Sequence, residues 1–295
     1  MGTIRTIKYK EFIEEYFLIR NKKSEVVPFK FNVVQHTYYN MLNEEHPNMQ
    51  GARQIILKAR QEGFTSFISA LFATDFLFRP NSVSVIIAHD RETTKKIFKK
   101  IHFYLDSYCH KAFGQDRNVI LKTNSDTSLE NNINGAQFYI RTAGAKVGAR
   151  GDTVNNLHFS ECAFYPDTDI ITAKEIVEGS LQQVPLGTGM VFIESTANGV
   201  GNYYQKTWEL AKAGSSTYTP RFFSWHDFPE YTDEYMERKR KEFSSEAMFK
   251  QEYPATEKEA FILSGSGFFD SATLFAMQDD IIDPIYSGDL LSINI

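Results

Sequence analysis

Between Lys58 and Ser66 the chain reads KARQEGFTS, which places two cationic side chains, one glycine and two adjacent hydroxyls within a few residues. The apolar Ile55–Leu57 run precedes this segment and an apolar-periodic stretch follows it. That is the strand, loop and helix order of a phosphate-binding loop, in which backbone N–H groups and a helix N-terminus cradle an anion. In the motif G-x-x-x-x-G-K-[ST] a lysine follows the second glycine, but here Phe64 stands in that place. Gly63 supplies the close backbone approach, and Thr65 holds the position of the Mg²⁺-binding hydroxyl. Lys58, at the first motif position, and Arg60 are the cations left to neutralise phosphate oxygens. Ala59, Gln61, Glu62 and Ser66 complete the candidate nucleotide-binding loop. Taken alone, the segment reads more readily as an ordinary strand-to-helix turn with solvated charges, so residues further along must decide.

Two later strand ends carry matching chemistry. An ATPase of this kind needs an acidic strand end that binds the metal's water and a glutamate that polarises the attacking water. VNNLHFSECAFY provides a strand that ends in Ser160-Glu161. Glu161 takes the catalytic position, while Ser160 stands where an aspartate is usual, which makes metal ligation there weaker or water-mediated. VFIESTANGVG ends in Ser195, Thr196, Ala197 and Asn198, a hydroxyl and amide cluster able to sense loss of the γ-phosphate. Each has a plainer reading: a solvated strand-end carboxylate for Glu161, and a capping turn before a helix for the Ser195–Asn198 cluster. Their order after successive predicted strands favours the catalytic reading.

The surrounding elements must hold these loops in place. A helix is expected over 8–20, strands over 82–89, 137–144, 155–161 and 189–196, and helices over 91–113, 170–182, 201–213 and 231–252. Asn134-Gly135 signals a hairpin. Strands alternating with helices predict an α/β domain with a mainly parallel sheet, whose ligands bind at the strands' carboxyl ends. At 295 residues, 42% hydrophobic and 23% charged, the chain can bury a large core unaided. A net charge of −5 gives no general affinity for nucleic acid, although a local basic groove remains compatible with it. The two cysteines form no disulfide framework, and no apolar run is long enough for a membrane span; a soluble, intracellular protein is expected.

Together KARQEGFTS, LHFSECAFY, FIESTANG and QEYPATEKEAFILSGSGFFD resemble the ATPase motor of a tailed-phage large terminase subunit, from about Pro28 to Asp270. The resemblance implies a P-loop NTPase of the ASCE/RecA-like type, with a mainly parallel sheet flanked by helices and a small lid subdomain. It divides the chain into an N-terminal lid and adenine-reading segment (1–50), an ATPase core (51–214), a lid subdomain and linker (215–270) and a junction (271–295) to a nuclease domain absent from this chain. Nuclease activity is accordingly not expected.

In that family the lysine sits at the loop start and an aromatic takes its usual place, which implies Lys58 as the phosphate lysine. The same resemblance implies Arg60 as the loop arginine that reaches toward the γ-phosphate, and Gln35 as an adenine-reading glutamine. An arginine acting on a neighbouring subunit's nucleotide is assigned to Arg150, with Arg141 second. The implied substrate is ATP, with Mg²⁺ on Thr65 and Ser160. The implied partners are double-stranded DNA, the portal protein, the small terminase subunit and further copies in a ring, with no membrane. The implied location is the host cytoplasm, transiently on the procapsid portal. Two alternatives stay open: a DNA helicase or remodelling ATPase, and a catalytically silent nucleotide-binding module.

Overall fold

A computed structural model describes residues 7–145 and 153–261. In chain order these form α1 (Tyr9–Tyr16), β1 (Leu18–Arg20), β2 (Val26–Pro28), α2 (Val33–Glu45), β3 (Arg53–Lys58), α3 (Phe64–Phe78), β4 (Val83–Ala88) and α4 (Arg91–Phe113). There follow β5 (Leu121–Asn124), β6 (Ser128–Asn131), β7 (Gln137–Thr142), β8 (Asn156–Ser160), α5 (Ala173–Leu181), β9 (Met190–Ser195) and α6 (Tyr203–Lys212). The last elements are β10 (Thr219–Phe223), α7 (Asp233–Arg240), α8 (Glu246–Glu252) and α9 (Glu257–Ala260).

Eight strands make one sheet in the order β10-β3-β9-β8-β4-β7-β6-β5. From β10 to β7 every neighbouring pair is parallel, and β6 and β5 extend the sheet as an antiparallel margin. The central strands are buried on both faces, which is why they read as continuous apolar runs. Period-two alternation divides their side chains between two cores. Ile56 and Phe192 join α1 to α4 on one face, whereas Ile55, Leu57, Val191, Ile193, Leu157 and Phe159 join α5 and α6 on the other. Even-numbered positions near the ends of β3, β8 and β9 therefore face α3. This parity decides which polar side chains can meet.

Three local expectations change. The 8–20 helix stops at Tyr16 because Leu18–Arg20 pairs antiparallel with Val26–Pro28 and Phe29 N–H donates to the Phe17 carbonyl. The 231–252 helix is two, since the Ser245 side chain caps a new N-terminus at the Met248 N–H. Residues 219–223, placed by sequence in the lid, form the strand β10 beside the phosphate-loop strand β3. The boundary at 214 thus falls within the sheet-forming part of the chain, because that edge of β3 is completed by β10. The hairpin at Asn134-Gly135 forms between β6 and β7, with Gly135 in the left-handed region.

Candidate active site

The loop between β3 and α3 is shaped by its backbone. Gly63 caps α3 at φ 86°, with no side chain occupying the cap. The first intrahelical bond runs from Phe67 N–H to the Gly63 carbonyl at 3.0 Å. The N–H groups of Gly63, Phe64, Thr65 and Ser66 consequently have no acceptor within the helix and form an anion cradle.

Phe64, in the place of the usual lysine, is buried and packs its ring 4.9 Å from Phe223 and 5.5 Å from Tyr38. It anchors the loop to β10 and α2, and contributes no charge. Gln35 braces the loop from below. Its Oε1 accepts from Asn32 N–H at 3.1 Å in a capping box, and its Nε2 donates to the Gly63 carbonyl at 2.9 Å. Reading an adenine edge with this amide requires release of those bonds. A Cβ on Gly63 would lie 2.5 Å from Gln35 Nε2, in a backbone region L-residues avoid. Gly63→Ala is expected to cost at least about 1–2 kcal/mol, from the left-handed penalty alone, read as a lowered midpoint in thermal melting.

The charged centre stands at the carboxyl ends of β3, β8 and β9. Lys58 Nζ is 3.0 Å from Glu161 Oε1 and 3.3 Å from Glu194 Oε2. Burial opposes the charge on Lys58, but the two carboxylates outweigh it and raise its pKa above the usual lysine value. Glu161 follows the end of β8 with φ 54° and ψ 49°, a left-handed conformation for a non-glycine residue. Its Oε2 accepts from Ser195 Oγ at 3.3 Å and from Thr196 N–H at 3.2 Å. Ser195 Oγ also accepts from Ala163 N–H at 3.1 Å, and Asn198 Nδ2 donates to the Ala163 carbonyl at 3.1 Å. Ala197, between Ser195 and Asn198 in sequence, is buried. The loops after β8 and β9 are therefore cross-braced through the very residues singled out from sequence.

Glu194 was not among those residues. It is fully buried, and its Oε1 accepts from Thr65 Oγ1 at 2.6 Å and from Ser160 Oγ at 2.9 Å. Burial favours its neutral acid, but Lys58 first and then His158 and Thr65 keep its pKa well below the usual carboxylate range. The missed signal was a glutamate directly after the apolar run MVFI, inside the strand MVFIES. Lys100 on α4 was also missed; its amine donates to Ser66 Oγ at 2.9 Å and adds a cation at the first turn of α3.

Other loop residues point elsewhere. Arg60 pairs with Glu252 of α8 at 2.8 Å and is more than half exposed, so its guanidinium faces the C-terminal helices. The Glu62 carboxyl is buried without a hydrogen-bond partner. Burial pushes its pKa up to about 9 despite Lys58 nearby, which makes it neutral at pH 7. Arg141 on β7 lies, together with Arg91, Lys95, Lys99 and His102, around a cavity of about 830 Å³ on the α4 side of the sheet. That cavity is separated from β3 by β9, β8 and β4. Arg150, and the part of the expected linker and junction beyond Phe261, lie outside the described residues. Among the described residues no group of three His, Cys, Asp or Glu side chains could by itself hold a metal ion, and no helix is long and apolar enough to cross a membrane.

A phosphate-loop strand β3, separated by one strand from the β8 strand that carries the acidic end, defines a P-loop NTPase fold of the ASCE/RecA-like type. The ATPase domain of the Thermus phage P74-26 large terminase superposes with a TM-score of 0.53 at 18% identity, covering 72% of this chain and 91% of that one. The HK97 bacteriophage large terminase gives a TM-score of 0.58 at 15% identity, covering 84% of this chain and 51% of that one. A large terminase from a thermophilic bacteriophage, solved in complex with ATP-gamma-S, gives 0.52 at 11% identity, covering 75% and 51% respectively. The chain thus has the fold of phage large terminase ATPase domains and spans about half the length of the HK97 protein. No family model matches the sequence, and no curated protein does.

Proposed function

We propose that this chain is the ATP-hydrolysing motor of a viral DNA-packaging terminase. The observation that carries the reading is the Lys58 ammonium, displaced to the end of β3, which lies 3.0 Å from Glu161 beside the open N-terminus of α3. The triphosphate of ATP lies against the N–H groups of Gly63 to Ser66, with Lys58 and Lys100 as its counter-charges. Thr65 and Ser160 would hold Mg²⁺, which would supply charge neutralisation of the phosphates.

Glu161 orients and polarises a water for in-line attack on the γ-phosphorus. Its bonds to Ser195 and Thr196 give the Ser195–Asn198 loop a direct sense of what happens at that carboxylate. Arg60 turns from Glu252 to the γ-phosphate when the substrate binds, and Gln35 exchanges its loop contact for the adenine edge. Arg150, or Arg141 in its place, acts on the nucleotide of a neighbouring subunit in a homo-oligomeric ring, so an isolated monomer turns over slowly.

Residues 1–50 and 224–261 move as the lid over a core that includes β10. The ring docks on the portal protein of the procapsid in the host cytoplasm, with the small terminase subunit delivering double-stranded DNA. The basic α4 cavity lined by Lys95 and Lys99 takes duplex phosphates.

The test is phosphate release from ATP by the purified chain, with and without duplex DNA. The double variant Lys95→Glu/Lys99→Glu is expected to lose the DNA stimulation and to flatten the salt dependence of DNA binding by about one unit of slope per phosphate contact removed. Strand separation in place of duplex stimulation would instead support a helicase. Nucleotide binding without any turnover would mark a silent module.

A further inference from the structure

We infer that Glu194 supplies the carboxylate of the Mg²⁺ site, one strand away from the position that Ser160 leaves without an acid. The inference rests on the ATPase reading above and assigns its metal chemistry to a different side chain. In the parallel β8–β9 pair Ser160 and Glu194 are direct register partners. A carboxylate moved from 160 to 194 keeps its height along the sheet and shifts by one strand spacing, about 4.8 Å, which a glutamate side chain spans. Both residues face α3, the helix whose first turn carries Thr65.

The carboxylate has already gathered the hydroxyls a metal site needs. Glu194 Oε1 lies 2.6 Å from Thr65 Oγ1 and 2.9 Å from Ser160 Oγ. Its Oε2 is buried and accepts no hydrogen bond, with the Lys58 ammonium 3.3 Å away. The imidazole of His158 lies 3.4 Å from Oε1, with neither ring nitrogen in a hydrogen bond.

An ion pair built only to fix Lys58 is complete with Glu161. A second, wholly buried carboxylate adds a desolvation cost that a simple lysine anchor does not need. Mg²⁺ is commonly held by one or two carboxylates together with substrate phosphates, and Glu194 beside Thr65 fits that requirement. Ser160 then acts as a positioning residue that orients Glu194 through its hydroxyl.

The experiment measures binding of a fluorescent, non-hydrolysable ATP analogue to the full chain in EDTA and in Mg²⁺, with Mn²⁺ occupancy of the complex read by electron paramagnetic resonance. Glu194→Gln is expected to reduce Mn²⁺ affinity by more than the about 10–100-fold that loss of an outer-shell partner costs, and to abolish most of the Mg²⁺-induced tightening of the analogue. Binding in EDTA should persist. The exchange variant Ser160→Asp/Glu194→Ser is expected to restore both metal readouts, which a purely structural role for Glu194 does not predict.

Wild-type Mn²⁺ affinity in Glu194→Gln overturns the assignment. Should that variant fail to fold, the exchange variant decides alone: retained metal tightening supports the inference and its loss overturns it. Failure of the wild type to bind the analogue in either condition is a separate result, and it removes the ATPase reading itself.

Discussion

Glu161→Gln is expected to lower the rate of ATP hydrolysis by about 10²–10⁴-fold while leaving nucleotide binding intact or tighter. The change keeps the side chain's shape and its contacts with Ser195 and Thr196, but it removes the charge that polarises water in the proposed mechanism. It also releases Lys58 from one of its two carboxylates, so the loop presents more net positive charge to an anionic substrate. A fall in kcat with KM unchanged or lowered is the pattern to look for. Phosphate release at the wild-type rate would remove Glu161 from the mechanism.

Lys58→Met has the largest expected effect on the folded state. Removing one partner from a buried ion pair leaves an uncompensated buried charge, which costs about 3–5 kcal/mol at neutral pH. In the wild type, burial pushes the Glu194 pKa upward, but Lys58 prevails and keeps it depressed. A depressed carboxylate stabilises the fold above its unfolded pKa, and that contribution is lost as pH falls through the folded value.

In the variant the sign reverses. Burial is no longer countered by Lys58, so the folded protein binds the Glu194 proton more tightly than the unfolded chain, and stability falls as pH rises through the interval between the two pKa values. The deficit relative to wild type therefore shrinks as pH is lowered from 7 toward the carboxylate range. Urea unfolding at several pH values reads this directly, and nucleotide affinity should fall in parallel. Wild-type stability together with wild-type affinity in Lys58→Met would rule out the displaced lysine.

What could be read in the sequence follows from how local each feature is. Strands β3, β8 and β9 are doubly buried, so each left an apolar run whose end could be placed. The residues at or just past those ends, Lys58, Glu161 and Ser195, are joined in the structure for that reason. Glu194 escaped notice because its significance lies in strand order. A glutamate on β9 meets Thr65 and Ser160 only when β9 is inserted between β3 and β8 in register, and no local pattern encodes that neighbour relation.

The direction of Arg60 was hidden for the same reason, since its partner Glu252 is 192 residues away. Phe64 was recognised as a departure from the usual motif, but the aromatic cage of Tyr38 and Phe223 that receives it is assembled from α2 and β10. The lid boundary was misplaced because the edge strand β10 is only partly buried along most of its length and lacks the apolar signature of the central strands.

Arg60 is held at three points by the C-terminal helical region. Its N–H donates to the Glu252 carbonyl at 2.9 Å, its carbonyl accepts from Tyr231 Oη at 2.7 Å, and its guanidinium pairs with the Glu252 carboxylate at 2.8 Å. A single amino acid thus pins the crook of the loop to the C-terminal helical segment. Any swing of that guanidinium toward a phosphate unlatches one fastening while the two main-chain ones persist. In the proposed motor, force from the triphosphate would pass outward through these two hydrogen bonds and one ion pair, with the lever arm beginning at Arg60.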